Sequence, residues 1–142
     1  MAGRRSAAPA RQLDAAWIAV VEHLAQGELS GLALVTGGRS SGARVACRTA
    51  AAVGAAGVLC LAFPLVPPAR AGKDPAPSRL PELDAVTVPT LVVQGTSDRF
   101  GMPPPATNRT VVEVRGDHSL RTDLVVLAAA VSDWLAHLPS RR

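Results

Sequence analysis

The stretch Leu32-Ala33-Leu34-Val35-Thr36-Gly37-Gly38-Arg39-Ser40-Ser41-Gly42 decides the fold. Residues 32–36 form a short apolar run without alternation, the pattern of a strand covered on both faces of a parallel sheet. Over residues 41–53, the small side chains of Ala43, Ala46, Ala50 and Ala51 predict a helix lying close against the sheet it crosses. Between strand and helix, Gly38-Arg39-Ser40-Ser41-Gly42 fits G-x-S-x-G, a turn so sharp that its central serine takes a strained backbone. Gly38 and Gly42, two positions to either side, are both expected to avoid a clash there. Such a turn holds Ser40 Oγ above the sheet at a helix start, where amides and dipole favour developing negative charge. The Ser41 amide is then one oxyanion donor. Taken alone, these five residues also read as an ordinary strand-to-helix turn with Ser40 as its N-cap.

Working outward, Leu13, Ala16, Trp17, Val20, Val21 and Leu24 recur at helical spacing and predict one apolar face on a helix over residues 12–26, ended by Gly27. Residues 57–65 read as a second buried strand, followed by a Pro-rich loop over residues 64–81 that excludes regular structure. Residues 90–94 and 110–114 predict two further strands. A final helix over residues 122–138 carries Leu124, Val125, Leu127, Ala128, Val131, Trp134 and Leu135, with Thr122 as N-cap. Strands alternating with crossovers imply an α/β fold with a parallel sheet of about four strands flanked by helices. The expected organisation is a flexible arm at 1–10, one partial domain at 11–138 and a basic tail at 139–142.

The third predicted strand ends at Gly95-Thr96-Ser97-Asp98 and the fourth at Arg115-Gly116-Asp117-His118. Parallel strands put their C-terminal ends on one edge, so Asp98, His118 and Ser40 should converge. A serine hydroxyl is inert until a base removes its proton. His118 fits that role, and Asp98 would fix the imidazole tautomer and stabilise its charged form. Asp117 is a rival acid, but as a sequence neighbour of the base on extended chain it should point the opposite way. His23 and His137 lie on helices and read as surface or half-buried histidines. Arg39 and Arg44 could receive an anionic substrate, with helix-surface or ion-pair roles preferred.

The run from Leu34 to Ala46 resembles the nucleophile region of α/β-hydrolases of the dienelactone-hydrolase-like branch related to the testis-expressed members, whose pattern is GGRSxGGRxA. The similarity continues through Phe63-Pro64-Leu65-Val66-Pro67-Pro68, through Val88 to Gly101, and through Gly116-Asp117-His118-Ser119. The chain order Ser, Asp, His is that of the α/β-hydrolases. The resemblance implies a serine hydrolase acting on a small ester or acyl substrate through an acyl-enzyme on Ser40, with His118 as base and Asp98 as acid. Two departures stand out. Ala43 replaces a common Gly and Val66 a common His, and the strands and HGxG-type loop that precede the first helix in complete members lie before Met1. The sequence therefore reads as an N-terminally truncated hydrolase domain with an open sheet edge that allows a homo-oligomer. The alternative is an impaired or inactive hydrolase-fold module acting through protein-protein contacts.

Composition sets the limits. Of 142 residues, 48% are hydrophobic and 18% charged, enough apolar content to meet the entropy of ordering one domain. The net charge of +4 comes with Arg4, Arg5 and Arg11 at one end and Arg141 and Arg142 at the other, and no basic face interleaved with aromatics suggests nucleic acid. Gly54, Gly57, Pro64, Pro67 and Pro68 divide the most apolar segment too finely for a membrane span. Cys47 and Cys60 lack metal or disulfide spacing and read as buried small hydrophobes of a reducing, cytoplasmic setting. No cofactor or metal is expected. The segment from Thr36 to Gly42 also fits neither phosphate-binding glycine motif.

Overall fold

The computed structural model describes residues 9–68 and 71–139. Its elements run α1 (Ala10–Gln26), β1 (Val35–Arg39), α2 (Ser41–Thr49), β2 (Gly57–Leu61), α3 (Leu80–Asp84), β3 (Thr90–Gly95), β4 (Arg109–Val114) and α4 (Leu124–Ala136). The strands form one sheet in the order β1-β2-β3-β4, every pair parallel, which is the α/β architecture that the sequence predicts. The register sets Arg39 beside Leu61, Leu61 beside Val93, and Gly95 beside Val114, so all four C-terminal ends share one edge.

Burial follows the apolar runs. β3 is buried along its whole length, as a central strand covered on both faces should be. On one face, Ala43, Ala46 and Cys47 of α2, with Ala50 just after it, join Leu83 of α3 over Val58, Cys60 and Val92. On the other, Leu127, Val131 and Trp134 of α4 pack on Leu91, Val93 and Val114. Arg48 ties three helices together, bonding Asp14 of α1 in bidentate fashion and Glu82 of α3, while Arg44 also grips Glu82.

Several element limits differ from the sequence reading for identifiable reasons. β1 begins at Val35 and runs through both glycines, because Gly37 passes so near β2 that a Cβ there would lie 2.6 Å from the Leu59 carbonyl oxygen. β2 stops at Leu61, where Ala62 takes a positive φ of 56° and leaves the ladder. α2 ends at Thr49, and Gly54 at φ 64° turns the chain while the Ala55 amide closes on the Ala50 carbonyl. α3 begins at the last two residues of the Pro-rich stretch, since Pro81 occupies a first-turn position where no amide donor is needed. Thr122 is not an N-cap, because α4 starts at Leu124 with Asp123 before it and no side-chain cap bond. Ala10 belongs to α1 rather than to an arm. Residues 1–8 of the predicted arm and 140–142 of the predicted tail lie outside the described residues.

The amphipathic faces of α1 and α4 are less covered than their periodicity predicts. Val21 is the one buried residue of α1, and α4 has none. Leu13 and Val20 are exposed, and with Trp17, Gly37, Gly42 and Val45 they line an open groove. The outer edge of β1 has no strand partner among the described residues.

Candidate active site

The turn between β1 and α2 is the strained one that the motif predicts. Ser40 sits at φ 53° and ψ −118°, a conformation that a non-glycine residue holds only where its surroundings impose it. One constraint is the Ser40 amide, which donates to the Leu61 carbonyl at 2.9 Å and pins the turn to the end of β2. Another is the following helix, whose Ala43 amide donates to the Ser40 carbonyl at 3.0 Å. Gly38 is essential to this geometry, because a Cβ there would lie 2.3 Å from the Gly42 carbonyl carbon and 2.7 Å from the Ala43 nitrogen. Gly42 is not, since a Cβ at that position meets nothing within 4 Å. The expectation that both glycines relieve the same clash is corrected: Gly42's side faces the open groove.

Ser40 makes no side-chain cap bond to α2, which removes the N-cap reading. Its Oγ lies instead 2.8 Å from His118 Nε2. His118 Nδ1 lies 2.8 Å from Asp98 Oδ2. A carboxylate beside Nδ1 places the neutral imidazole's proton on that nitrogen, leaving the Nε2 lone pair to accept from the serine hydroxyl. The structure thus brings Ser40, His118 and Asp98 into one hydrogen-bonded chain. Asp117 stands outside it: its Oδ1 accepts from the Ser119 amide at 2.9 Å and from the Ser119 hydroxyl at 2.5 Å. Those two bonds, hydroxyl first, hold the Asp117 carboxyl below its ordinary range. His23 and His137 are exposed on their helices, and His137 bonds the Asp133 carbonyl.

Asp98 is fixed from several directions. Its side chain is 1% exposed, its Oδ1 accepts from the Phe100 amide at 2.8 Å, and its Oδ2 accepts from Gln94 Nε2 at 3.2 Å. Gln94, wholly buried in β3, also donates to the Phe63 and Gly101 carbonyls at 2.8 Å each, and its Oε1 accepts from the Phe63 amide at 2.9 Å. One carboxamide therefore joins the end of β2 to the loop carrying Asp98. Sequence reasoning missed Gln94, and the available signal was a long polar side chain in an otherwise apolar central strand. Gly95 was missed too. A Cβ there would lie 2.4 Å from the Gly116 carbonyl oxygen, so its absence lets the His118 loop cross against the Asp98 loop, where the Ser97 amide donates to that same oxygen.

Phe100 lies against His118 with ring centroids 4.4 Å apart, and Arg99 sits over the Phe100 ring at 5.0 Å. Arg44 takes the ion-pair role preferred for it, whereas Arg39 has no carboxylate partner among the described residues and donates to the Ser119 carbonyl at 2.7 Å. Cys47 and Cys60 are buried with sulfurs 3.5 Å apart, and the Cys60 thiol is pushed up by its hydrogen bond to Cys47 and by burial. Among the described residues, no three His, Cys, Asp or Glu side chains are grouped to hold a metal ion. No described helix is long and apolar enough to cross a membrane.

A strained serine between a parallel strand and a helix, with Asp and His at two later strand ends, is the arrangement of a known fold, and a family model described as an alpha/beta hydrolase domain matches residues 1–124. The chain belongs to the α/β-hydrolase family. An α/β serine hydrolase without a lid from Xanthomonas campestris matches at a TM-score of 0.69 and 20% identity, over 100% of this chain and 64% of that one. An α-β serine hydrolase homologue from Coxiella burnetii matches at 0.69 and 16%, over 94% and 63%. A monoacylglycerol lipase from Paleococcus ferrophilus matches at 0.66 and 17%, over 96% and 79%. At these identities the likeness speaks for the fold alone. This α/β-hydrolase chain spans less than two thirds of the length of the first two structures. Among curated proteins, none matches the sequence significantly.

Proposed function

We propose that this α/β-hydrolase chain carries a serine hydrolase site that cleaves a small ester or acyl substrate through an acyl-enzyme on Ser40, in the manner of the dienelactone-hydrolase-like branch. The observation that carries the reading is the hydrogen-bonded chain from Asp98 through His118 to Ser40, at 2.8 Å for each of the two His118 contacts. His118 Nε2 takes the hydroxyl proton as Ser40 Oγ bonds to the substrate carbonyl carbon. Asp98 stabilises the resulting imidazolium. The carbonyl oxygen gains negative charge and meets the Ser41 amide, which opens α2 and, as a first-turn amide, has no intrahelical acceptor. The bond to the leaving oxygen then breaks, and His118 returns the proton to that oxygen. Water repeats the sequence on the acyl-enzyme, with His118 again the base, and releases the acid.

A fluorophosphonate probe tests this, since it reacts with an activated serine. The expected result is one covalent adduct, located on Ser40 by mass spectrometry and absent from the Ser40→Ala protein. An unlabelled folded protein, or an adduct that persists in the variant, refutes the proposal.

A further inference from the structure

Cys47 and Cys60 are the two cysteines of the chain, 13 residues apart on different elements, and the fold brings their sulfurs to 3.5 Å. Both are free thiols. α2 lies this near to β2 because its inner face is built of alanine: Ala43 and Ala46, with Ala50 just after the helix, are buried in one cluster with Val58 and Cys60. The two sulfurs differ in access. Cys60 is 0% exposed, whereas Cys47, at 5%, lines a cavity of about 780 Å³. Asp14, Arg48 and Glu82 give that cavity a polar wall, which admits water and small polar solutes. Gly54 and Ala55 ahead of β2, and Val88 ahead of β3, also line it, so it lies toward the sheet edge opposite to the one carrying Ser40, Asp98 and His118. Cys60 keeps its proton, since the hydrogen bond to Cys47 and then burial push its thiol up.

We propose that Cys47 and Cys60 are a redox-active pair, converted by hydrogen peroxide to a disulfide that staples α2 to β2. The Cys47 sulfur, reached from the cavity, attacks one peroxide oxygen. The O–O bond breaks, the thiol proton leaves with the other oxygen as water, and Cys47 becomes a sulfenic acid. The Cys60 sulfur then displaces the hydroxyl group from Cys47, and the Cys60 proton leaves with it as a second water. The two sulfurs lose two electrons and the peroxide gains them. Closing to a bond of about 2.05 Å brings the sulfurs roughly 1.5 Å nearer, a movement that rotation about the two Cα–Cβ bonds supplies. The bond enters β2 one residue before Leu61, whose carbonyl receives the Ser40 amide at 2.9 Å, so it ties together the two elements between which the strained turn is pinned. The inference stands apart from the hydrolase reading, because neither the chemistry nor its test needs turnover.

The test treats the folded, reduced wild-type protein with hydrogen peroxide and counts thiols after denaturation. The titre is expected to fall from two per chain to none, while the intact mass falls by two hydrogens. A peptide map without reductant should join Cys47 to Cys60, and dithiothreitol should reverse the change. Closing a loop of this length in a domain of this size should raise the thermal midpoint by about 10 °C. In the Cys60→Ala protein, matched to wild type by circular dichroism, Cys47 should stop at the sulfenic acid and be trapped by dimedone. The Cys47→Ala protein should keep its Cys60 thiol under the same treatment. Two thiols surviving peroxide in the wild-type protein, or links formed only between chains, overturn the pair. An oxidised protein that melts no higher than the reduced one overturns the staple, and dimedone trapping on Cys60 overturns the order of attack.

Discussion

Replacing Gln94 with leucine should destabilise this domain measurably, although no charge and little volume change. The side-chain Nε2 shares its two protons among three acceptors, and Oε1 accepts one hydrogen bond. Asp98 Oδ2 keeps His118 as a partner after the change, and the Gly101 carbonyl lies at a half-buried position where water can reach it. The Phe63 carbonyl still accepts from the Leu65 amide at 2.9 Å, whereas the buried Phe63 amide loses its partner outright. One orphaned buried backbone donor costs roughly 1–3 kcal/mol, or about 2 kcal/mol. With a urea m-value of about 1.5 kcal/mol/M, the unfolding midpoint should fall by roughly 1–2 M, followed by circular dichroism. Gln94→Glu adds a sign. Its carboxyl would face two carbonyl oxygens and Asp98, so folding holds it neutral and raises its pKa. Stability is then greatest below the unfolded carboxyl pKa of about 4.3 and falls as pH rises through the folded value. A midpoint shift under about 0.5 M for Gln94→Leu would mean that Phe63 finds other partners and that the carboxamide is not the joint described.

The two motif glycines should separate on substitution: Gly38→Ala forces the chain apart at Gly42 and should abolish probe labelling, whereas Gly42→Ala should keep the fold and add about 0.5–1 kcal/mol in thermal unfolding. Asp98→Asn preserves shape but not charge, and the rate of fluorophosphonate labelling at Ser40 should drop by about 10³ to 10⁴. For Glu82, burial raises the carboxyl pKa, but the hydrogen bond and charge of Arg44, with Arg48, outweigh it and leave it lowered. A depressed folded pKa means stability present above the unfolded value and lost as pH falls through the folded one. Glu82→Gln should therefore be destabilised at neutral pH and converge on wild type below about pH 4 in urea titrations.

Much of this protein is legible in one dimension. The apolar runs, the glycine-flanked serine and the acid and base placed just after two strands each depend on neighbours within a few residues. Parallel pairing then carries all strand ends to one edge without further information. The α/β class, and the convergence of Ser40, Asp98 and His118, followed from that local logic. Contacts between distant segments decided the rest. The start of β1 depends on how closely Leu59 approaches Gly37, and the end of β2 on a carboxamide 31 residues away that takes both polar groups of Phe63. Gly42 looks equivalent to Gly38 in the motif and proves unconstrained, because what surrounds a Cβ is a property of the packed chain. The faces of α1 and α4 are apolar at helical spacing and yet largely uncovered, since periodicity fixes which side of a helix is apolar but not what lies against it. The pairing state of Arg39 was likewise invisible until the fold placed the carboxylates of the described residues.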